Sequence, residues 1–95
     1  MAAVEARFKP GDRVTVRKAY PIGHIRTPYY IRGHSGTIER LCGAFPNPEE
    51  LAQMRDGLPE VPLYRVRFLQ REVWPDYGGG PQDTVDIEIF QHWLE

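Results

Sequence analysis

The chain is 95 residues long, 41% hydrophobic and 26% charged, with twelve Lys/Arg against thirteen Asp/Glu and a net charge of −1. That length makes one small domain, which cannot enclose a deep catalytic cleft as well as a generous core, so a binding module or a subunit is expected. The apolar and aromatic content excludes a chain disordered throughout, and the single cysteine, Cys42, excludes an internal disulfide framework.

No CxxC or HExxH spacing offers a metal cage, so no metal is expected on this chain. The N-terminus has no apolar leader core, and no run approaches the roughly 18 apolar residues of a membrane span. A cytoplasmic protein with no membrane contact is expected. The near-neutral balance hides an asymmetry: residues 1–42 hold eight basic and three acidic residues, and residues 43–95 hold four and ten. Such a dipolar surface suits docking onto a protein or an anionic group, and falls short of a nucleic-acid footprint.

Residues 1–7 read as an N-terminal tail. Residues 12–18, DRVTVRK, alternate Val14 and Val16 with Arg13, Thr15 and Arg17 behind the turn signal Pro10-Gly11-Asp12, and predict a strand with one buried and one basic face. A long loop follows, containing GHIRTPYYIRG at residues 23–33. Residues 36–42, GTIERLC, predict a second strand. Asn47 then caps a short helix running to about Arg55: Pro48 occupies the first helical position, Glu49 and Glu50 meet the positive end of the dipole, and Gly57 and Pro59 stop it.

Residues 63–68 predict a third strand, with Leu63 or Tyr64, Val66 and Phe68 as core candidates. Gly78-Gly79-Gly80 lacks the strand-before, helix-after context of a phosphate loop and reads as a flexible turn. Residues 84–89 predict a fourth strand, with Val85, Ile87 and Ile89 on one side, and the terminal FQHWLE predicts a turn and a last short strand closing the core. These elements define a mainly β fold, a small SH3-like antiparallel barrel over residues 8–95 with one short helix in a connection.

The order FKPGDRVTVR, GHIRTPYYIRG, GTI, the F-P-x-P helix start, YRVRF, EVW and VDIEIFQHWLE closely resembles the C-terminal domain of the nitrile hydratase beta subunit, and GHxRxP followed by Y-x-RG is its most specific part. The resemblance implies a heteromeric hydro-lyase that hydrates a nitrile to an amide. It places a cobalt ion, in preference to iron, on the partner alpha subunit, held by cysteine thiolates and backbone amides. Two of those cysteines are oxidised to sulfenic and sulfinic acids, and two beta-subunit arginines bond their oxygens. The arginine of GHxR, here Arg26, is one of the pair. The other belongs to the N-terminal half of the beta subunit, which these residues do not contain.

The resemblance therefore implies either an excised domain or a beta subunit split into two polypeptides, as in thiocyanate hydrolase and in three-subunit nitrile hydratases such as the type acting on toyocamycin. The Met1 start and the Leu94-Glu95 end favour a natural small subunit, partnered by the alpha subunit and by a second, N-terminal-half beta-like subunit in a hetero-oligomer. The isolated chain is expected to be inactive. Pro75, after Glu72-Val73-Trp74, stands where the family usually has glycine, and a local change in that turn is expected.

A guanidinium stays protonated and can hold two oxyanions in fixed geometry, which suits Arg26 to that contact. Arg32 reads equally as an interface residue or as a structural arginine bonding loop carbonyls. His24 is a pocket candidate, although most loop histidines only bond a neighbouring backbone group. Of Tyr29 and Tyr30, at least one is expected as an interface anchor or as a wall of the substrate channel, and its fellow as the same or as core. Cys42 reads as a buried inert thiol, Trp74 and Trp93 as core or interface aromatics, and Glu49, Glu50, Asp56 and Glu60 as a solvated acidic face. The competing readings are a thiocyanate hydrolase subunit, an accessory, metallochaperone-like protein serving the alpha subunit, and a binder of proline-rich peptides. The retained arginine disfavours the accessory reading, and the basic loop argues against the peptide binder.

Overall fold

The computed structural model describes residues 4–21 and 25–95. Four antiparallel strands, β1 (Arg13–Thr15), β2 (Ser35–Phe45), β3 (Val61–Leu69) and β4 (Thr84–Phe90), pair in chain order and curl into a half-barrel. Two single helical turns interrupt the meander, α1 (Pro48–Leu51) between β2 and β3 and α2 (Gln70–Val73) between β3 and β4. Two 3-10 turns, Tyr29–Ile31 and Gln91–Trp93, complete the described elements. The chain then returns to its start: Leu94 bridges Val16, and Thr15 and Glu95 exchange both backbone hydrogen bonds at 2.9 Å. No helix among the described residues is long and apolar enough to cross a membrane.

Period-two alternation selects the core. Val14 and Val16 from the first strand region, Tyr64, Val66 and Phe68 from β3, and Ile89 from β4 are buried together with Ile31, Ile38, Val73, Trp93 and Leu94. Each such side chain contributes about 1.5–3 kcal/mol relative to an exposed one. Val85 and Ile87 pack against this cluster from its edge. Close approach explains one glycine. A Cβ at Gly36 would lie 2.7 Å from the Arg67 carbonyl oxygen and 2.8 Å from Phe68 and Val66, so β2 reaches β3 here only without a side chain.

The long strand β2 departs from the expected one by running to Phe45. Its pairing with β3 shifts register between Ile38 and Arg40 and again between Leu41 and Gly43. Such irregularities bend a strand and increase its twist, which curls the sheet. Cys42 lies at the second shift and is half-buried, with Sγ 3.9 Å from Glu88 Oε2, so the expectation of a buried thiol is corrected. A second correction concerns helix number. α2 is a further helical turn whose N-cap, Leu69, makes no side-chain cap bond, and it carries none of the usual start signals. The glycine-rich turn is tied down by Asp83, whose Oδ2 accepts from the Tyr77 hydroxyl at 2.6 Å and the Gly80 amide at 2.9 Å.

Residues 4–8, part of which read as tail, are fastened to the sheet. The Val4 amide donates to the Glu60 carbonyl, and the buried Gln91 side chain accepts from the Arg7 amide at 2.8 Å and donates to the Glu5 carbonyl at 2.9 Å. The Tyr64 hydroxyl completes the cluster, donating to Gln91 Oε1 at 2.8 Å and accepting from the Phe8 amide at 3.2 Å.

Candidate functional site around Arg26

The outer face of the sheet changes character along its length, and the alternation that builds the core explains how. Arg65 and Arg67 of β3 share a face with Asp86 and Glu88 of β4, and cross-strand pairs form there: Arg67 grips both Asp86 oxygens at 2.8 and 3.0 Å, and Arg65 reaches Glu88 at 3.1 Å. Hydrogen bonding from Arg67 is the main cause that holds the Asp86 carboxyl below its usual value; slight burial opposes it, and the Arg67 and Arg65 charges reinforce it. Continuing along the same face, Leu63 and Phe90 stand opposite each other in register, and the surface becomes apolar.

That apolar end is one wall of a cavity of about 470 Å³. Phe45, Pro46, Pro48 and Leu51 form a second wall, and Arg26 and Thr27 contribute the loop side. α1 is placed by its cap: Asn47 Oδ1 accepts from the Glu49 amide at 3.0 Å, with Pro48 opening the turn. Arg26 is exposed and takes part in none of the ion pairs among the described residues. Glu88, which also lines the cavity, is already engaged by Arg65.

Arg32 has the opposite environment. Its side chain is buried, and Nε and Nη2 both donate to the Thr27 carbonyl at 3.2 and 2.9 Å, while Nη1 donates to the Ala19 carbonyl at 3.1 Å. The guanidinium carbon lies 4.8 Å from the ring centroids of Tyr29 and Trp93 and 5.5 Å from that of Tyr20. Arg32 thus gathers both ends of the long loop with its planar fork, as aromatic faces and carbonyls can do for a buried cation. The Tyr29 ring lies 4.7 Å from that of Tyr20, and Tyr30 stacks on Trp74 at 5.0 Å. Both tyrosines remain exposed, Tyr29 by 70% and Tyr30 by 44%, so neither is core. His24 lies outside the described residues.

The expected solvated acidic face is corrected: of its four residues only Asp56 is exposed, and Glu49 departs furthest from the expectation. Glu49 is half-buried: Oε1 accepts from the Trp93 indole N–H, and Oε2 lies 3.0 Å from His92 Nε2. From sequence Glu49 reads only as a helix-start and solvated residue, and Phe45, Leu51, Leu63 and Phe90 do not stand out as cavity walls. A signal existed for two of the walls. Phe90 is out of phase with Val85, Ile87 and Ile89, and Leu63 is out of phase with Tyr64, Val66 and Phe68, so both point to the outer face.

Among the described residues no three His, Cys, Asp or Glu side chains converge as metal ligands. What the site offers is a hydrogen-bonding cation at an apolar rim, suited to an anionic or strongly dipolar group brought by another molecule. The whole chain, residues 1–95, matches the family described as nitrile hydratase beta subunit, C-terminal, and the chain belongs to that family.

Relatives fall in two groups. The nitrile hydratase beta subunit of Rhodococcus erythropolis is 39% identical over 90 residues, covering 93% of this chain and 41% of its own. The cobalt-containing nitrile hydratase beta subunit of Pseudonocardia thermophila is 37% identical over 92 residues, covering 94% and 37%. The chain therefore spans well under half the length of these beta subunits. The thiocyanate hydrolase alpha subunit of Thiobacillus thioparus is 34% identical over 94 residues, covering 98% of this chain and 74% of its own. A solved apo-enzyme structure of that hydrolase superposes with a TM-score of 0.90 at 33% identity, covering 98% of this chain and 78% of that one. All three relatives are subunits of nitrile hydratase or thiocyanate hydrolase.

Proposed function

We propose that this chain is the small, non-metal-binding subunit of a nitrile hydratase, hydrating a nitrile to an amide in a hetero-oligomer whose alpha subunit carries the metal, cobalt in preference to iron. The observation that carries this reading is the contrast between the two loop arginines. Arg32 is consumed by the loop's own carbonyls and aromatic faces, whereas Arg26 is exposed beside an apolar cavity, with no carboxylate partner among the described residues. Family membership supports the assignment of Arg26 to the oxidised cysteine ligands of the partner.

Among the described residues no three His, Cys, Asp or Glu side chains cluster as metal ligands, and in this reading the metal belongs to the alpha subunit. This chain's contribution is the guanidinium, which donates to two oxyanions at once, and the apolar wall, which displaces water from around them and strengthens those bonds. The second subunit supplies the N-terminal half of the beta architecture and the other arginine.

A second reading, a thiocyanate hydrolase subunit, is supported by the 34% identity to that relative over 94 residues and by the superposition on its solved structure at a TM-score of 0.90. Both readings use the same arginine, and assaying the co-expressed complex with a nitrile and with thiocyanate separates them. Arg26→Lys in that complex keeps the charge and loses the fork. Turnover should fall at least about tenfold, or roughly 1.4 kcal/mol, with assembly and metal content retained. Near-parental turnover in an intact, metal-replete complex would remove Arg26 from the active site.

A further inference from the structure

We propose that Arg32, Trp93 and Glu49 form one continuous tie between the two walls of the Arg26 cavity, which makes them positioning residues for Arg26; the proposal rests on the reading of Arg26 given above. The first wall is the loop carrying Arg26 and Thr27, and the second is α1, which contributes Pro48 and Leu51. Nothing in the chain order joins them, because β2 lies between.

The path begins at the residue next to Arg26. The Thr27 carbonyl accepts two hydrogen bonds from Arg32, at 3.2 and 2.9 Å. The Arg32 guanidinium rests against the Trp93 ring at 4.8 Å, and the Trp93 indole N–H donates to Glu49 on α1. The other Glu49 oxygen is taken by His92, the neighbour of Trp93 on the same 3-10 turn, so the carboxylate is oriented by two adjacent residues. Thr27, Arg32 and Trp93 are 4%, 8% and 2% exposed, which keeps the path largely out of competition with water.

The two end links are directional, and the middle one is a packed face-to-ring contact. A guanidinium fork fixes a carbonyl in two coordinates, and an indole N–H on a carboxylate fixes the ring's rotation as well as its depth. A shift of α1 is therefore transmitted to the backbone that carries Arg26. Simple loop anchoring would need only the Thr27 and Ala19 carbonyl bonds. The onward contact through Trp93 to a carboxylate on the opposite wall is what a stabiliser of the loop alone would not require.

The decisive variant is Glu49→Leu, since Glu49 lies outside the hydrophobic core and its loss should leave the sheet folded. Backbone hydrogen exchange on the full-length chain reads the tie directly. The amides of Ile31 and Arg32, bonded to Pro28 and Tyr29 in the loop, should exchange about tenfold faster, together with those of Leu51 and Ala52 on α1, while β3 amides stay as in the parent. Acceleration confined to α1, or equal acceleration in β3, would overturn the proposal.

A double-mutant cycle in the assembled complex tests the same link by activity. Glu49→Leu should lower turnover when Arg26 is present and add no further loss in Arg26→Lys, because it acts through that side chain. Independent, additive losses would show that Glu49 does not position Arg26. If Arg26→Lys alone leaves turnover unchanged, the functional reading of Arg26 fails, whereas the exchange measurement still decides whether the tie exists. Trp93→Phe keeps a ring beside Arg32 but removes the indole N–H and shrinks a core side chain, so it should accelerate the loop amides at least as much; a parental rate at Ile31 and Arg32 in that variant would also overturn the tie.

Discussion

Arg26 and Arg32 carry the same side chain in the same loop, and solvent access separates their roles. A buried guanidinium must find acceptors within the fold, and Arg32 finds two carbonyls and three aromatic faces. Arg26 is exposed and under no such demand, and among the described residues it has no carboxylate partner. Asp86 shows the same logic with the opposite charge. Its carboxyl is held low chiefly by the Arg67 hydrogen bonds, so its native value lies below the unfolded one of about 3.9. The pair's contribution is accordingly full above that unfolded value and is lost as pH falls through the lowered native value. The contribution is small, because Arg67 is well exposed and water screens the pair. A carboxyl titration followed by NMR checks the cause: in Arg67→Gln the Asp86 midpoint should rise toward the ordinary aspartate value. An unmoved midpoint would assign the depression to something other than Arg67.

The elements legible from sequence were those with an uninterrupted period. Val14 and Val16, Tyr64 to Phe68, and Val85 to Ile89 alternate cleanly, and all three runs lie on strands or on a bridge at a strand end. β2 was read short because its two register shifts break the alternation at Glu39 and Cys42. α2 went unread because a single turn after Leu69 has neither a capping side chain nor room for a helical period. The final segment was read as a turn and a short strand, and it forms a 3-10 turn and a one-residue bridge. Its polar Gln91 carries a consequence for the N-terminal segment. Replacing Gln91 by Met conserves shape but leaves the Tyr64 hydroxyl and the Arg7 amide without their shared acceptor. Urea unfolding should show a loss of about 1–3 kcal/mol, with exchange at the Arg7 and Phe8 amides accelerated beyond the rest of the molecule. A parental midpoint would mean that the buried amide does not anchor residues 4–8.

At the scale of the whole molecule, several large apolar side chains reach the surface. Tyr20, Tyr29, Phe45 and Leu51 are each more than 40% exposed, and Trp74 is 38% exposed. Tyr29 was one of the two tyrosines expected to supply an anchor at an interface; the other exposures were not legible, because an apolar side chain in a loop reads equally as core or as contact until the fold assigns its face. Several charges, by contrast, are already satisfied: Arg55, Arg65 and Arg67 pair with Glu50, Glu88 and Asp86 within the acidic half. Cross-chain attraction therefore has fewer charges to use than the formal asymmetry suggests, and apolar burial should dominate assembly. The two contributions respond differently to salt. At 1 M the Debye length shrinks to about 3 Å, which removes most surface electrostatic attraction and leaves apolar burial intact. Co-expressed with an alpha subunit and an N-terminal-half beta-like chain, this chain should elute with both in gel filtration, and the peak should persist at about 1 M salt. Phe45→Ser or Leu51→Ser, each removing one exposed apolar side chain beside Arg26, should weaken that complex without unfolding the chain, because neither residue belongs to the buried core. Dissociation by salt alone, with both serine variants assembling as the parent does, would identify a transient electrostatic contact and would fit an accessory protein better than a subunit.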